Sequence, residues 1–104
     1  MAVIEITQAN FKEEVLESAE PVLIDFWAPW CGPCKIMGPV IDEIAATAFG
    51  FKVGKINVDE EMELARQYRV MSIPTLAVFK NGEIAARTAG LTEKEEILKM
   101  IDLK

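Results

Sequence analysis

The ten residues FWAPWCGPCK, at positions 26 to 35, contain both tryptophans and both cysteines of the 104-residue chain. They overlap the end of a segment, VLIDFW at 22–27, that is apolar apart from one aspartate. Apolar residues recur at helical spacing after the second cysteine. We therefore predict that Cys31 and Cys34 lie between a buried strand and a helix, at the carboxyl end of the strand, where open α/β sheets place their sites.

The spacing of the cysteines predicts a reversible disulfide. Pro33 suits the first turn of a helix, so Cys31 should lie at the helix N-terminus and Cys34 just inside it. Helical geometry then separates their Cα atoms by about 5 Å, within the disulfide range. Free N–H groups and the helix dipole should stabilise a thiolate on Cys31 more than on Cys34, which we expect to be more enclosed. Cys31 is therefore predicted to attack a partner disulfide and Cys34 to resolve the mixed disulfide.

The two residues between the cysteines bear on the direction of exchange. Gly32 and Pro33 carry no charge, and Pro33 has no N–H to offer a sulfur. The thiolate is therefore stabilised less than it would be beside a histidine, and a less stabilised reduced form is a better reductant. The chain contains no histidine, so proton transfer must use a shifted carboxylate, lysine or thiol.

Asp25 is the one charged residue in the apolar segment 22–27. A buried carboxylate costs several kcal/mol if it is charged and unpaired, so its presence needs a reason. We interpret Asp25 as the group that accepts and returns the proton of Cys34, with a pKa raised by desolvation. Lys55, on the next predicted strand, is the nearest expected counter-charge. A purely structural salt bridge between Asp25 and Lys55 remains an alternative at this point.

Strand and helix patterns alternate along the rest of the chain, which predicts a single α/β domain over residues 1–104. The predicted strands are 3–7, 22–27, 51–58, 75–80 and 83–88. The predicted helices are one starting near Asn10, a long one after Cys34 with a kink at Pro39, 60–68, and a last one after Thr92. Asn10 with Glu13, and Thr92 with Glu95, resemble capping pairs. Asn81-Gly82 predicts a type I′ turn between the last two strands.

Charge and hydropathy narrow the classes of partner. Seventeen acidic and eleven basic residues give a net charge of −6, which disfavours binding to nucleic acid and to anionic membranes. No apolar run approaches the roughly 20 residues that a membrane helix needs. Several charged residues in the first twenty positions argue against a signal peptide, so we expect a cytoplasmic protein. The expected partners are proteins or small molecules, and a monomer is the plain expectation.

The motifs together resemble the thioredoxin family over essentially the whole chain. They are WCGPC at 30–34 after DFWA at 25–28, IPT at 73–75 and FKNGE at 79–83. The resemblance implies a mixed five-stranded sheet in the order 1-3-2-4-5 flanked by four helices. It also implies that no cofactor is bound, because the redox-active group is the Cys31–Cys34 disulfide. Members of the family reduce disulfide-containing client proteins and are recharged by thioredoxin reductase, an NADPH-dependent flavoenzyme.

The resemblance further implies a shallow apolar surface on which clients dock around the cysteines. Five positions of this chain match the docking positions of the family: Trp30, Ile73, Pro74, Ala89 and Gly90. Pro74 matches a proline with a cis peptide bond that faces the active site. Gly90 should allow an extended partner to approach closely because it has no side chain.

Three classes of function remain open on the sequence. The leading one is an electron-donating protein-disulfide reductase. An oxidase or isomerase of the same fold is disfavoured by the lack of a histidine between the cysteines and of a signal peptide. A binding module could use the same surface with incidental cysteines. A structural bridge over so short a loop would constrain the unfolded chain little, and a zinc site needs four ligands, so no metal site is predicted.

Overall fold

The computed structural model describes residues 2–102, in which five strands form one mixed sheet. The strands are β1 (Ile4–Glu5), β2 (Val22–Trp27), β3 (Lys52–Asn57), β4 (Thr75–Lys80) and β5 (Glu83–Ala89). Their order is β1-β3-β2-β4-β5, with β1, β3 and β2 parallel and β4 and β5 antiparallel to their neighbours. The sheet order and its mixed character agree with the prediction.

Four helices accompany the sheet: α1 (Lys12–Leu16, a single π-helical turn), α2 (Gly32–Ala46), α3 (Met62–Gln67) and α4 (Lys94–Ile101). Helix α2 continues through Pro39. The predicted hairpin is present, and Asn81 (φ 54°) and Gly82 (φ 81°) both have the left-handed angles of a type I′ turn. The strands β1 and β3 and the helix α3 are shorter than predicted, although Ile6 and Val58, just beyond the ends of β1 and β3, each donate one further backbone hydrogen bond to the neighbouring strand.

The central strand β2 is buried because apolar side chains cover both faces of the sheet. Ile24 and Phe26 pack into one core cluster, which also contains Phe79. Leu23, on the opposite face, packs into a second cluster that contains Ile44 of α2. These alternating contacts explain why the segment reads as continuously apolar.

A glycine allows β3 to pack between β1 and β2. A Cβ at Gly54 would lie 2.8 Å from Cγ1 of Ile6 and 3.1 Å from Cδ1 of Ile24. Both neighbours are fully buried isoleucines, so they have little room to move. The packing therefore requires glycine at this position.

The predicted capping pair of Asn10 and Glu13 is wrong. Oδ1 of Asn10 accepts a hydrogen bond from the Thr7 N–H at 2.7 Å, and Nδ2 donates to the carbonyl of Glu5 at 2.9 Å. Phe11, not Asn10, precedes α1, and no side chain caps that helix. Asn10 closes the turn after β1 instead, since short polar side chains bond to whichever backbone groups lie nearest.

The predicted capping box of Thr92 and Glu95 is also wrong. The hydroxyl of Thr92 donates to the carbonyl of Gly90 at 3.1 Å, so it satisfies the turn before the helix. Glu93 precedes α4 with extended backbone angles and without a side-chain cap. In both cases a tight turn next to the helix competes with the helix for the same side chain.

Candidate active site

Cys31 and Cys34 form a disulfide at the start of α2, with their Cα atoms 5.2 Å apart. Cys31 precedes the first helical residue, Gly32, in an extended conformation, and Pro33 lies in the first turn. The backbone N–H of Cys34 donates to Sγ of Cys31 at 3.2 Å. These positions are those predicted from the sequence, and they direct a free helix N–H toward the sulfur of Cys31.

The two cysteines do not differ in exposure, so the prediction that Cys34 is more enclosed is wrong for this oxidised protein. Their relative exposures are 4% and 5%. They pack with Ala28, Trp27 and Ile73, because the loop before Pro74 folds over the disulfide. Sγ of Cys31 lies 3.7 Å from the carbonyl oxygen of Ile73. In this oxidised protein the two cysteines therefore differ in their polar contacts rather than in their burial.

Asp25 lies beneath the disulfide in the centre of β2, with a relative exposure of 5%. Its Oδ1 atom is buried and has no hydrogen-bond partner within the described residues. Burial raises the pKa of Asp25 from 3.8 to about 7; the charge of Lys55 lowers it and that of Asp42 raises it. Desolvation is thus the dominant cause, and the carboxyl group exchanges its proton near neutral pH.

A cavity of about 200 Å³ connects Asp25 with Cys34. It is lined by ten residues: Val3, Asp25, Trp27, Ala28, Cys34, Lys35, Gly38, Ile41, Asp42 and Lys55. A water molecule occupies about 30 Å³ in the liquid, so several would fit. Cys34 and Asp25 therefore share a space that can hold water, through which a proton can pass.

Lys55 lies opposite Asp25 in the register of β2 and β3, as the sequence predicted. Within the described residues 2–102, the side chains of Asp25 and Lys55 form no salt bridge. This contradicts the alternative that Asp25 serves only as one half of a structural salt bridge. The ammonium of Lys55 lies instead 5.3 Å from the centroid of the Trp27 ring, where the π face attracts it. Its charge still acts on Asp25 across the cavity.

The five predicted docking residues fall into two adjoining groups. Trp30 is 68% exposed and lines a depression of about 390 Å³ together with Ile73. The Ile73–Pro74 peptide bond is cis, as the resemblance implied, and the carbonyl of Pro74 accepts a hydrogen bond from the N–H of Gly90 at 2.8 Å. Ala89 is exposed at the end of β5, and Gly90 has a φ of 85° with open space around it. The loops thus place Ile73 against the disulfide, and Gly90 is joined to this group through its hydrogen bond with Pro74.

Three residues at the site were not predicted from the sequence. Asp59 accepts a 2.8 Å hydrogen bond from Nε1 of Trp30, Met71 is 90% exposed in the depression beside Trp30, and Asp42 lines the cavity of Asp25. Asp59 and Met71 lie in loops, where periodicity gives no signal. Asp42 follows Cys34 by eight residues in a predicted helix, and that spacing could have placed it on the same face.

Residues 2–102 contain no group of three or more histidine, cysteine, aspartate or glutamate side chains arranged to hold a metal ion. None of the helices in that range has the length and hydropathy required to cross a bilayer.

Comparison with known proteins assigns the class. The sequence profile of the family described as Thioredoxin matches residues 2–103. Thioredoxin 1 of Synechococcus elongatus is 49% identical over 98 residues, which are 93% of this chain and 92% of that protein. Thioredoxin of Rickettsia felis is also 49% identical over 98 residues, 93% of each chain. Thioredoxin of Mycobacterium bovis is 48% identical over 99 residues, 94% of this chain and 85% of that protein.

The chain therefore belongs to the thioredoxin family of disulfide oxidoreductases. Its Cys31–Cys34 pair has the spacing and geometry for dithiol–disulfide exchange with client proteins, and proteins of this family are recharged by a reductase. The redox-active group is this pair of side chains.

Proposed function

We propose that the protein reduces client disulfides with a fixed division of labour between its cysteines. The Cys31 thiolate attacks one sulfur of the client disulfide; a new S–S bond forms and the client's other sulfur leaves as a thiolate. Cys34 then attacks Sγ of Cys31, re-forms the internal disulfide and releases the second client thiol. Two electrons pass to the client in total. A reductase returns them to the cysteine pair.

One observation carries the assignment of Cys31 as nucleophile. The N–H of Cys34 points at Sγ of Cys31, which stands at the positive end of the fifteen-residue helix α2. This donor stabilises negative charge on Cys31 and offers nothing equivalent to Cys34. Gly32 and Pro33 add no charge between them, and Pro33 lacks an N–H, so the stabilisation stays moderate and favours the reducing direction.

Asp25 is proposed as the proton acceptor and donor for Cys34, with Lys55 as its electrostatic partner. A carboxyl group with a pKa of about 7 can both accept and return a proton at neutral pH, and it shares a cavity with Cys34. Lys55 opposes part of the burial effect and so keeps the pKa from rising further. This role suits the resolving step, in which Cys34 must lose its proton before it attacks.

Clients are proposed to dock on the surface around the disulfide. Trp30 and Ile73 offer an apolar depression, and the exposed Ala89 with the side-chain-free Gly90 leaves room for an extended segment. The cis Pro74 lies between these two groups and presents its carbonyl to Gly90. A shallow surface of this kind accepts many sequences that carry a disulfide.

These assignments also lead to expectations about the domain, the oligomeric state, the location and the partners of the protein. We expect one thioredoxin domain over residues 1–104, working as a cytoplasmic monomer that carries electrons from thioredoxin reductase, an NADPH- and FAD-dependent enzyme. No nucleic acid or membrane partner is expected, given the net charge of −6. The specific clients would be proteins whose disulfides are accessible to this surface.

The proposal is tested by reduction of insulin, followed by turbidity, with a chemical thiol as electron donor. We expect rapid reduction by the wild type and the uncatalysed rate with Cys31→Ser; equal rates would overturn the reductase assignment. Cys34→Ser should accumulate mixed disulfides with insulin. A non-catalytic binding module would instead be unaffected by either change, and an oxidase would show a reduction potential well above the glutathione range.

A further inference from the structure

Helix α2 contributes a second carboxylate to the cavity of Asp25. The residues of α2 that line this cavity are Cys34, Lys35, Gly38, Ile41 and Asp42. Their spacing of one, four, seven and eight positions from Cys34 is that of a single helical face. Asp42 is exposed whereas Cys34 and Asp25 are buried, so the cavity extends from the protein surface to the buried pair.

The charged and titratable groups around Asp25 are few. Strand β3 contributes Lys55 to the cavity, and α2 contributes Cys34, Lys35 and Asp42. Strand β4 places the apolar Leu76 opposite Asp25 in the sheet. Within this set, Lys55 favours the ionised carboxylate of Asp25, and Asp42 favours the protonated form.

We propose that Asp42 is a positioning residue for proton transfer: its carboxylate lies at the outer end of the cavity that Asp25 and Cys34 share, and it acts on the Asp25 carboxyl group with a charge opposite to that of Lys55. This inference rests on the proposed function, because it matters for catalysis only if Asp25 exchanges a proton with Cys34. The balance of the charges of Asp42 and Lys55 then sets the pH range in which Asp25 exchanges that proton.

The neighbouring residue provides a matched control. Glu43 is exposed on the same helix and carries the same charge, but it does not line the cavity and is paired with Lys94. Asp42→Asn and Glu43→Gln therefore remove one negative charge each from adjacent positions. Both changes are on the surface, so both variants should fold, and Asp42→Ser provides a second way to remove the cavity charge.

The experiment is a titration of the Asp25 carboxyl carbon by NMR in the oxidised protein, combined with the pH profile of insulin reduction. We expect Asp42→Asn to lower the Asp25 midpoint by ~0.2 to 0.7 pH units, as for a pair partly screened by solvent. Lys55→Met should raise the midpoint, and Glu43→Gln should leave it in place. The Asp42 effect should shrink at high salt. The pH profile of reduction should move with the midpoint.

Two results would overturn the inference, and they have different consequences for the proposed function. If Asp42→Asn leaves the Asp25 midpoint unchanged, or moves it no further than Glu43→Gln does, Asp42 does not act on Asp25, while the reductase assignment stands. If the midpoint moves but the pH profile of reduction does not, Asp42 has no part in catalysis and the proposed proton role of Asp25 fails with it. If the wild-type protein does not reduce insulin, the proposed function is wrong, whatever value the Asp25 midpoint has.

Discussion

Asp25 lies directly opposite Lys55 on neighbouring strands, but the Lys55 ammonium lies over the ring of Trp27 and forms no salt bridge with the Asp25 carboxylate among the described residues. The lysine therefore offsets only part of the effect of burial. The pKa of Asp25 rises to about 7, where the group can exchange a proton at physiological pH.

This raised pKa makes the stability of the oxidised protein fall as the pH rises. The folded protein binds the Asp25 proton more tightly than the unfolded chain does, so the associated stability is complete below about pH 4 and is lost as the pH rises through about 7. Between pH 5.5 and pH 8.5 the free energy of unfolding should fall by ~2 kcal/mol more in the wild type than in Asp25→Asn. The fall is about 1.4 kcal/mol per pH unit up to the pKa of Asp25 in the folded protein.

Urea unfolding of both proteins at the two pH values measures this difference. Because each protein is compared with itself at the two pH values, any pH-independent cost of the amide that Asp25→Asn places in the core cancels. The disulfide is kept intact so that no thiol titrates. If the free energy of unfolding changes by the same amount in the two proteins, Asp25 has an ordinary pKa in the folded state.

Gly54→Ala should destabilise the fold by ~1 to 3 kcal/mol, because the added methyl group meets Ile6 and Ile24 in a packed core. Gly32→Ala is the matched control, since a Cβ there meets nothing within 4 Å. Urea unfolding curves of the two variants and the wild type give the comparison. Equal stability of Gly54→Ala and the wild type would mean that the three parallel strands tolerate a wider spacing.

Trp30→Ala should weaken reduction of protein disulfides without impairing the chemistry. We expect kcat/KM for insulin to fall ~10-fold, because an exposed aromatic anchor is lost from the docking surface. Reduction of a small aromatic disulfide reagent, which needs no docking surface, should stay within about twofold of wild type.

Phe49→Ala is the control for that variant, since Phe49 is 94% exposed and lies outside the depression beside Trp30. It should reduce both substrates at the wild-type rate. A Trp30→Ala variant with unchanged insulin kinetics would remove Trp30 from the docking surface.

Much of the fold was predictable because its signals are strong and local. The apolar segment of β2, the Asn81-Gly82 turn and the CGPC motif at a helix start each have one favoured structure. The sheet order came from the family resemblance, since periodicity alone does not specify which strands pair.

The capping residues were not predictable, because Asn10 and Thr92 had two competing backbone partners each and the turns prevailed. At the site, the sequence indicated Asp25 and Lys55 but not the geometry between them. Whether a lysine meets a carboxylate or an aromatic ring depends on side-chain packing of Trp27, which no sequence pattern encodes.

Alkylation of the reduced protein tests the central claim most directly. The two cysteines are almost equally buried in the oxidised protein, so we expect the helix start and the N–H of Cys34, which act on Cys31, to make the difference in reactivity. With limiting iodoacetamide at pH 7 and mass mapping of the product, we predict that Cys31 is modified at least ~10-fold faster than Cys34, as a charge stabilised at a helix N-terminus implies. Equal labelling of the two thiols, or preferential labelling of Cys34, would contradict the assignment of Cys31 as the nucleophile.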